Sequence, residues 1–127
     1  MSVRQRVQTL LRPLLGPPTI TLNLTDRLIH QGMPGDTHFC PVALALVNMF
    51  PDAIEVRAGA EYATVIFRDR GVEWAYPASL SVWVNAYDDT DYDEIPTVEA
   101  RSFELTLSKE RIFDDEERAR WMRWYPE

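Results

Sequence analysis

The sequence predicts an α+β domain: a small, mostly antiparallel sheet of about five strands with two packed helices, and an added helix at each end. Two observations point there. Between residues 19 and 107, short runs alternate apolar and polar side chains with period two and are parted by turn-forming residues. Two stretches read as helices: 41–50, apolar at every residue from Val42 to Val47, and 78–87, apolar at helical spacing. At 127 residues the chain suits one compact unit. The expected organisation is an N-terminal amphipathic helix and Pro-rich linker (1–18), a compact α+β domain (19–107) and a C-terminal Trp-rich helix (108–127).

The elements follow in order. Val3, Val7, Leu10 and Leu11 form one helical stripe over 2–12, limited by Pro13, and Gly16-Pro17-Pro18 reads as a stiff linker. The stretch is too polar for the apolar region of a secretory leader. Thr19–Leu24 alternates and is rich in β-branched residues, hence a strand. Thr25 or Asp26 caps a short helix that Gly32 stops.

Pro41 fits only a first helical turn, and every residue from Val42 to Val47 is apolar. This predicts a central helix over 41–50 with protein on all sides. Ile54–Ala58, Glu61–Arg68 and Val72–Tyr76 read as three consecutive antiparallel strands. Gly59-Ala60 turns between the first two. Asp69-Arg70-Gly71 turns between the next two, with Gly71 supplying a positive φ. Leu80, Trp83, Val84 and Tyr87 make the buried stripe of a helix opened by Pro77. An acidic loop, 88–96, leads to a last strand, Arg101–Leu107. Asp114 and Glu117 then match a capping box for a helix over 114–124, whose acids precede its arginines as the helix dipole favours.

Charge is the most informative compositional feature. The net charge is -7, but residues 1–72 hold 7 basic and 6 acidic side chains while 73–127 hold 6 basic and 14 acidic ones. The acids gather at Asp88, Asp89, Asp91, Asp93 and Glu94, and again at Asp114, Asp115, Glu116 and Glu117. Such a chain is a poor direct binder of nucleic acid, whose phosphates need clustered Lys and Arg. Its single cysteine excludes an internal disulfide framework. No apolar stretch approaches the roughly 20 residues of a membrane span. The expected location is the cytoplasm of a host cell.

The run Asp36-Thr37-His38-Phe39-Cys40-Pro41-Val42-Ala43-Leu44-Ala45-Leu46 resembles a motif of small uncharacterised proteins encoded by actinobacterial phages and prophages. Ser102-Phe103-Glu104-Leu105 resembles the end of the same proteins. The similarity covers about residues 19–107, and both terminal helices depart from it. It implies a phage or mobile-element setting and brings no activity, cofactor or catalytic residue.

Chemistry is sparse. Cys40 at a helix start has N–H groups that could lower its pKa, yet its expected role is an apolar plug beneath the central helix. His38, two residues away, is poorly placed as a base, and His30 is the only other histidine. Asp89-x-Asp91-x-Asp93 invites a calcium reading, but Glu94 takes the place of the turn glycine and the twelfth position is Ala100. No phosphate-binding loop, nucleophile elbow or zinc-protease motif is present. The expectation is therefore no enzyme, with no catalytic residue, no metal and no cofactor.

Trp74 and Trp83 belong to the core, whereas Trp121 and Trp124 sit on a charged C-terminal helix and suit a partner-binding anchor. The expected function is that of an accessory protein that binds a host protein with a basic surface, with a nucleic-acid-binding defence system as one target it could inhibit. Asp88, Asp89, Asp91, Asp93, Glu94, Asp114, Asp115 and Glu116 would supply attraction, and Trp121 and Trp124 burial. A homo-oligomer assembled through the terminal helices is the alternative, and a small hydrolase the second alternative.

Overall fold

The computed structural model describes residues 18–91 and 94–124. Five strands form one antiparallel sheet: β1 (Thr19–Leu24), β2 (Glu55–Ala58), β3 (Tyr62–Ile66), β4 (Arg70–Ala75) and β5 (Arg101–Ile112). Their spatial order is β1-β5-β4-β3-β2. Four helices accompany them: α1 (Asp26–Gln31), α2 (Pro41–Met49), α3 (Ala78–Asp88) and α4 (Asp115–Trp124). The α+β class is as the periodicities indicate. The helix expected over 2–12 and its linker through Pro17 lie outside the described residues, as does the acidic position Asp93.

The sheet is curled around α2. Five strands at about 4.8 Å spacing make a sheet near 19 Å wide, twice the diameter of a helix, yet α2 touches both edge strands, β1 and β2. Curling brings Leu22, Leu24, Val56, Val65, Trp74, Phe103 and Leu105 into one core with Val42, Ala43 and Leu46 of α2. The expectation that α2 has protein on all sides needs correction. Val47 and Met49 are exposed, because a single helix over the concave face leaves its outer side to solvent.

α3 buries the stripe expected of it, Leu80, Trp83, Val84 and Tyr87. Trp83 stacks on Tyr87 at 5.7 Å and meets Phe103 edge-on. Its Nε1–H donates to the Glu99 carbonyl at 2.9 Å, and the Tyr87 hydroxyl donates to the Ile29 carbonyl at 3.1 Å. These bonds tie the middle of α3 to the segment before β5 and its C-terminal end to α1. Tyr76, just before α3, has a buried hydroxyl with no partner among the described residues.

Two glycines act differently from expectation. Gly71 lies inside β4 without a positive φ, and the turn closes earlier, with the Phe67 N–H donating to the Arg70 carbonyl. Its missing Cβ instead makes room for Phe113 and Ile66, 3.4 and 3.2 Å from where that atom would stand. Gly35 is the residue with positive φ among those described, at +72°. β5 also runs five residues past its expected end. Ser108 bulges between the Glu73–Lys109 and Trp74–Leu107 pairs, and beyond it the strand is held by β4 alone, with Ser108–Ile112 exposed. Among the described residues no helix is long and apolar enough to cross a membrane.

Candidate functional site

The segment Met33–Cys40, between α1 and α2, is fixed at every step. Asp36 accepts from the backbone N–H groups of His38 (2.9 Å) and Phe39 (3.2 Å) through its side chain, and from Cys40 through its carbonyl. The Met33 N–H donates to the Phe39 carbonyl, closing the loop on itself. The Thr37 carbonyl accepts from Ala58 of β2, and the Gly35 N–H donates to the Asp88 carboxylate at 2.9 Å. This loop is therefore tied to the sheet on one side and to the end of α3 on the other. It holds Phe39 outward, 56% exposed, with Met33 exposed nearby. A loop whose backbone is already fixed by hydrogen bonds has lost the backbone freedom that binding through Phe39 would otherwise remove.

The acidic segment starts at that tie. Between Asp88 and Ala100 the chain has six carboxylates and no Lys or Arg. Among the described residues, no ion pair engages Asp88, Asp89, Asp91, Glu94 or Glu99. Arg101, the first cation after them, lies over the Phe103 ring at 4.9 Å. The Asp91 carboxylate, hydrogen-bonded to Glu94, pushes the Glu94 carboxyl above its ordinary value, as expected where like charges crowd without compensation. Ile95 stands among these acids, 81% exposed.

The second acidic run is built otherwise. Asp114 caps α4, accepting from the Glu117 N–H at 2.8 Å, and Glu117 pairs with Arg111 at 2.5 Å. Asp115 and Glu116 fill the first turn of α4, where the helix dipole favours them. The side chains of Trp121 and Trp124 lie outside the described residues. The two runs connect to opposite ends of β5, a 12-residue strand some 36 Å long by its rise per residue, and no hydrogen bond or ion pair joins them among the described residues. The two acidic runs thus flank opposite ends of β5.

Cys40 is buried at the start of α2, and burial pushes its thiol up. The Ala43 and Val42 N–H groups pull it down less than burial and the charges of Asp88 and Asp36 raise it. The lowered pKa that a helix start suggests does not occur, because desolvation outweighs the N–H groups. His38 is engaged elsewhere, with Nε2 3.1 Å from the Glu55 carboxylate. His30 bonds through Nδ1 to the Asp26 carbonyl. Among the described residues no three His, Cys, Asp or Glu side chains could share a metal ion.

One polar cluster escapes sequence reading. Glu55 of β2, almost fully buried, accepts from Arg57 Nε at 2.6 Å and faces His38. The Glu55–Arg57 spacing places both on one face of a strand, but nothing in the sequence shows that His38, 17 residues earlier, meets them. The cluster borders a concavity of about 590 Å³ between the loop and the β2–β3 turn. Compared with known proteins, the chain matches no family model, no curated protein and no solved structure.

Proposed function

We propose that the protein is a non-enzymatic interaction protein that docks on a partner with a basic surface, using the 88–99 acidic segment for attraction and the Met33–Phe39 loop for close contact. The observation that carries this reading is the Gly35–Asp88 hydrogen bond, which joins uncompensated carboxylates to a hydrogen-bonded loop that carries an exposed aromatic. Charges of one sign speed encounter, and a preset aromatic anchor supplies short-range burial. The resemblance of Asp36–Leu46 to phage and prophage proteins makes the partner a host protein, encountered in the host cytoplasm. A nucleic-acid-binding component of host defence fits best, since its groove is already shaped and charged for an acidic ligand. Asp114, Asp115 and Glu116 have structural work in α4 and take a lesser part, and Trp121 and Trp124 remain anchors in this proposal.

The test is a pull-down from host lysate with two baits, the wild-type chain and an Asp89→Asn/Asp91→Asn/Glu94→Gln chain. A partner retained by the wild type alone at about 0.05 M salt, and released by about 0.5 M, supports the reading. Equal retention on both baits, or indifference to salt, overturns it.

A further inference from the structure

We propose that the concavity between the Thr37–His38 turn and the β2–β3 hairpin is a binding site for a small ligand with one anionic group, a carboxylate or a phosphate, on an aromatic body. Its volume, about 590 Å³, lies in the range of small-molecule sites. Thr37, His38, Arg57, Glu61, Tyr62 and Thr64 line it.

Arg57 is the residue that selects the ligand. Its Nε–H is held at 2.6 Å by Glu55, whose side chain is only 7% exposed and therefore fixed by its surroundings. The terminal Nη1 and Nη2 groups have no partner among the described residues, and the side chain is 63% exposed. A guanidinium gripped at one edge presents its two remaining nitrogens in a set direction. That fork matches the spacing of two carboxylate or phosphate oxygens. Holding the side chain beforehand removes much of the rotamer entropy that binding would otherwise cost.

The neighbours complete the chemistry. Thr64 lies directly across from Arg57 in the β2–β3 register, so its hydroxyl stands beside the guanidinium face of the sheet. Tyr62, two residues earlier on the same face, is 52% exposed and offers an aromatic surface. His38 is oriented by the same Glu55 carboxylate that orients Arg57. Glu61 at the border disfavours a second anionic group elsewhere on the ligand. On a chain of net charge -7, long-range attraction does not bring anions here, so affinity has to come from these contacts.

This site shares Thr37 and His38 with the docking loop, but its anion is taken by Arg57 of β2, so it stands or falls without the acidic segment. The test is an NMR titration of the full chain, following the Arg57 Nε–H and the Thr64 and Tyr62 amides, with benzoate, phenyl phosphate and uncharged benzamide. Saturable shifts with either anion, at least tenfold weaker with benzamide, support the proposal, and the stronger anion tells carboxylate from phosphate. Arg57→Gln, at an exposed side chain, keeps the folded spectrum and weakens anion binding at least tenfold. Arg57→Lys recovers only part of it, because it keeps the charge and loses the fork. Unshifted signals with both anions, benzamide equal to benzoate, or an unaffected Arg57→Gln each overturn the proposal.

Discussion

The two acidic runs look alike as sequence and differ as structure. Asp114 and Glu117 are engaged, one by the N–H groups of α4 and the other by Arg111. Asp89, Asp91 and Glu94 face water with no cation beside them among the described residues. The difference lies in what flanks each run. Residues 114–117 open a helix and follow Arg111 of β5, so Asp114 meets an N–H group of the first turn and Glu117 meets a guanidinium. Residues 88–99 follow a helix with no basic side chain and enter a strand whose first cation lies over an aromatic ring. Local composition thus decides whether an acidic run stabilises the fold or charges the surface.

The largest effect that would sharpen this contrast concerns binding. Asp89→Asn/Asp91→Asn/Glu94→Gln is expected to weaken association with the partner at least tenfold by calorimetric titration, and Asp115→Asn/Glu116→Gln less than twofold. Equal losses would erase the distinction between the runs. Next comes stability. Asp114→Ala removes the side-chain cap of α4 and is expected to cost about 1 kcal/mol in urea unfolding while changing partner affinity less than twofold.

The same contrast between an engaged and an unengaged polar group exists in the core. Tyr87→Phe breaks the bond to the Ile29 carbonyl and is expected to cost about 1 kcal/mol. Tyr76→Phe removes a buried hydroxyl that has no partner among the described residues and is expected to cost nothing or to stabilise slightly. Ionisation gives a second measure of Tyr87. Burial pushes its hydroxyl from the ordinary 10 up to about 12, so between those values the folded chain holds a proton that the unfolded chain has lost. Stability should therefore be fully present below pH about 10 and fall as pH rises toward 12, with a shallower fall in Tyr87→Phe. The smallest effect belongs to the exposed ion pair. Arg111→Gln is expected to lower stability by about 0.3 kcal/mol at low salt, and by less as salt screens the pair.

What the sequence reveals follows the reach of each interaction. The stripe Leu80, Trp83, Val84 and Tyr87 repeats within one helix, and the Thr25 cap acts over three residues, so both are legible locally. The start of β5 at Arg101 is legible too, but its end is not. Ser108–Ile112 has no apolar face of its own and becomes a strand only because β4 lies beside it. Gly71 misleads for a related reason, since what it accommodates, Phe113, comes from 42 positions later in the chain. The site divides in the same way. Acidic density is visible in composition, whereas the Gly35–Asp88 tie and the His38–Glu55 contact depend on how the curled sheet brings distant segments together.

The hydrogen bond from Ala58 to the Thr37 carbonyl has a consequence for solubility. β2 is an outer strand, and a bare outer strand is a template on which other chains can add. The turn carrying Phe39 shields part of that rim, so substitutions that loosen it would promote self-association as well as disturb recognition. Variants of Asp36 or Gly35 should accordingly be compared at several protein concentrations.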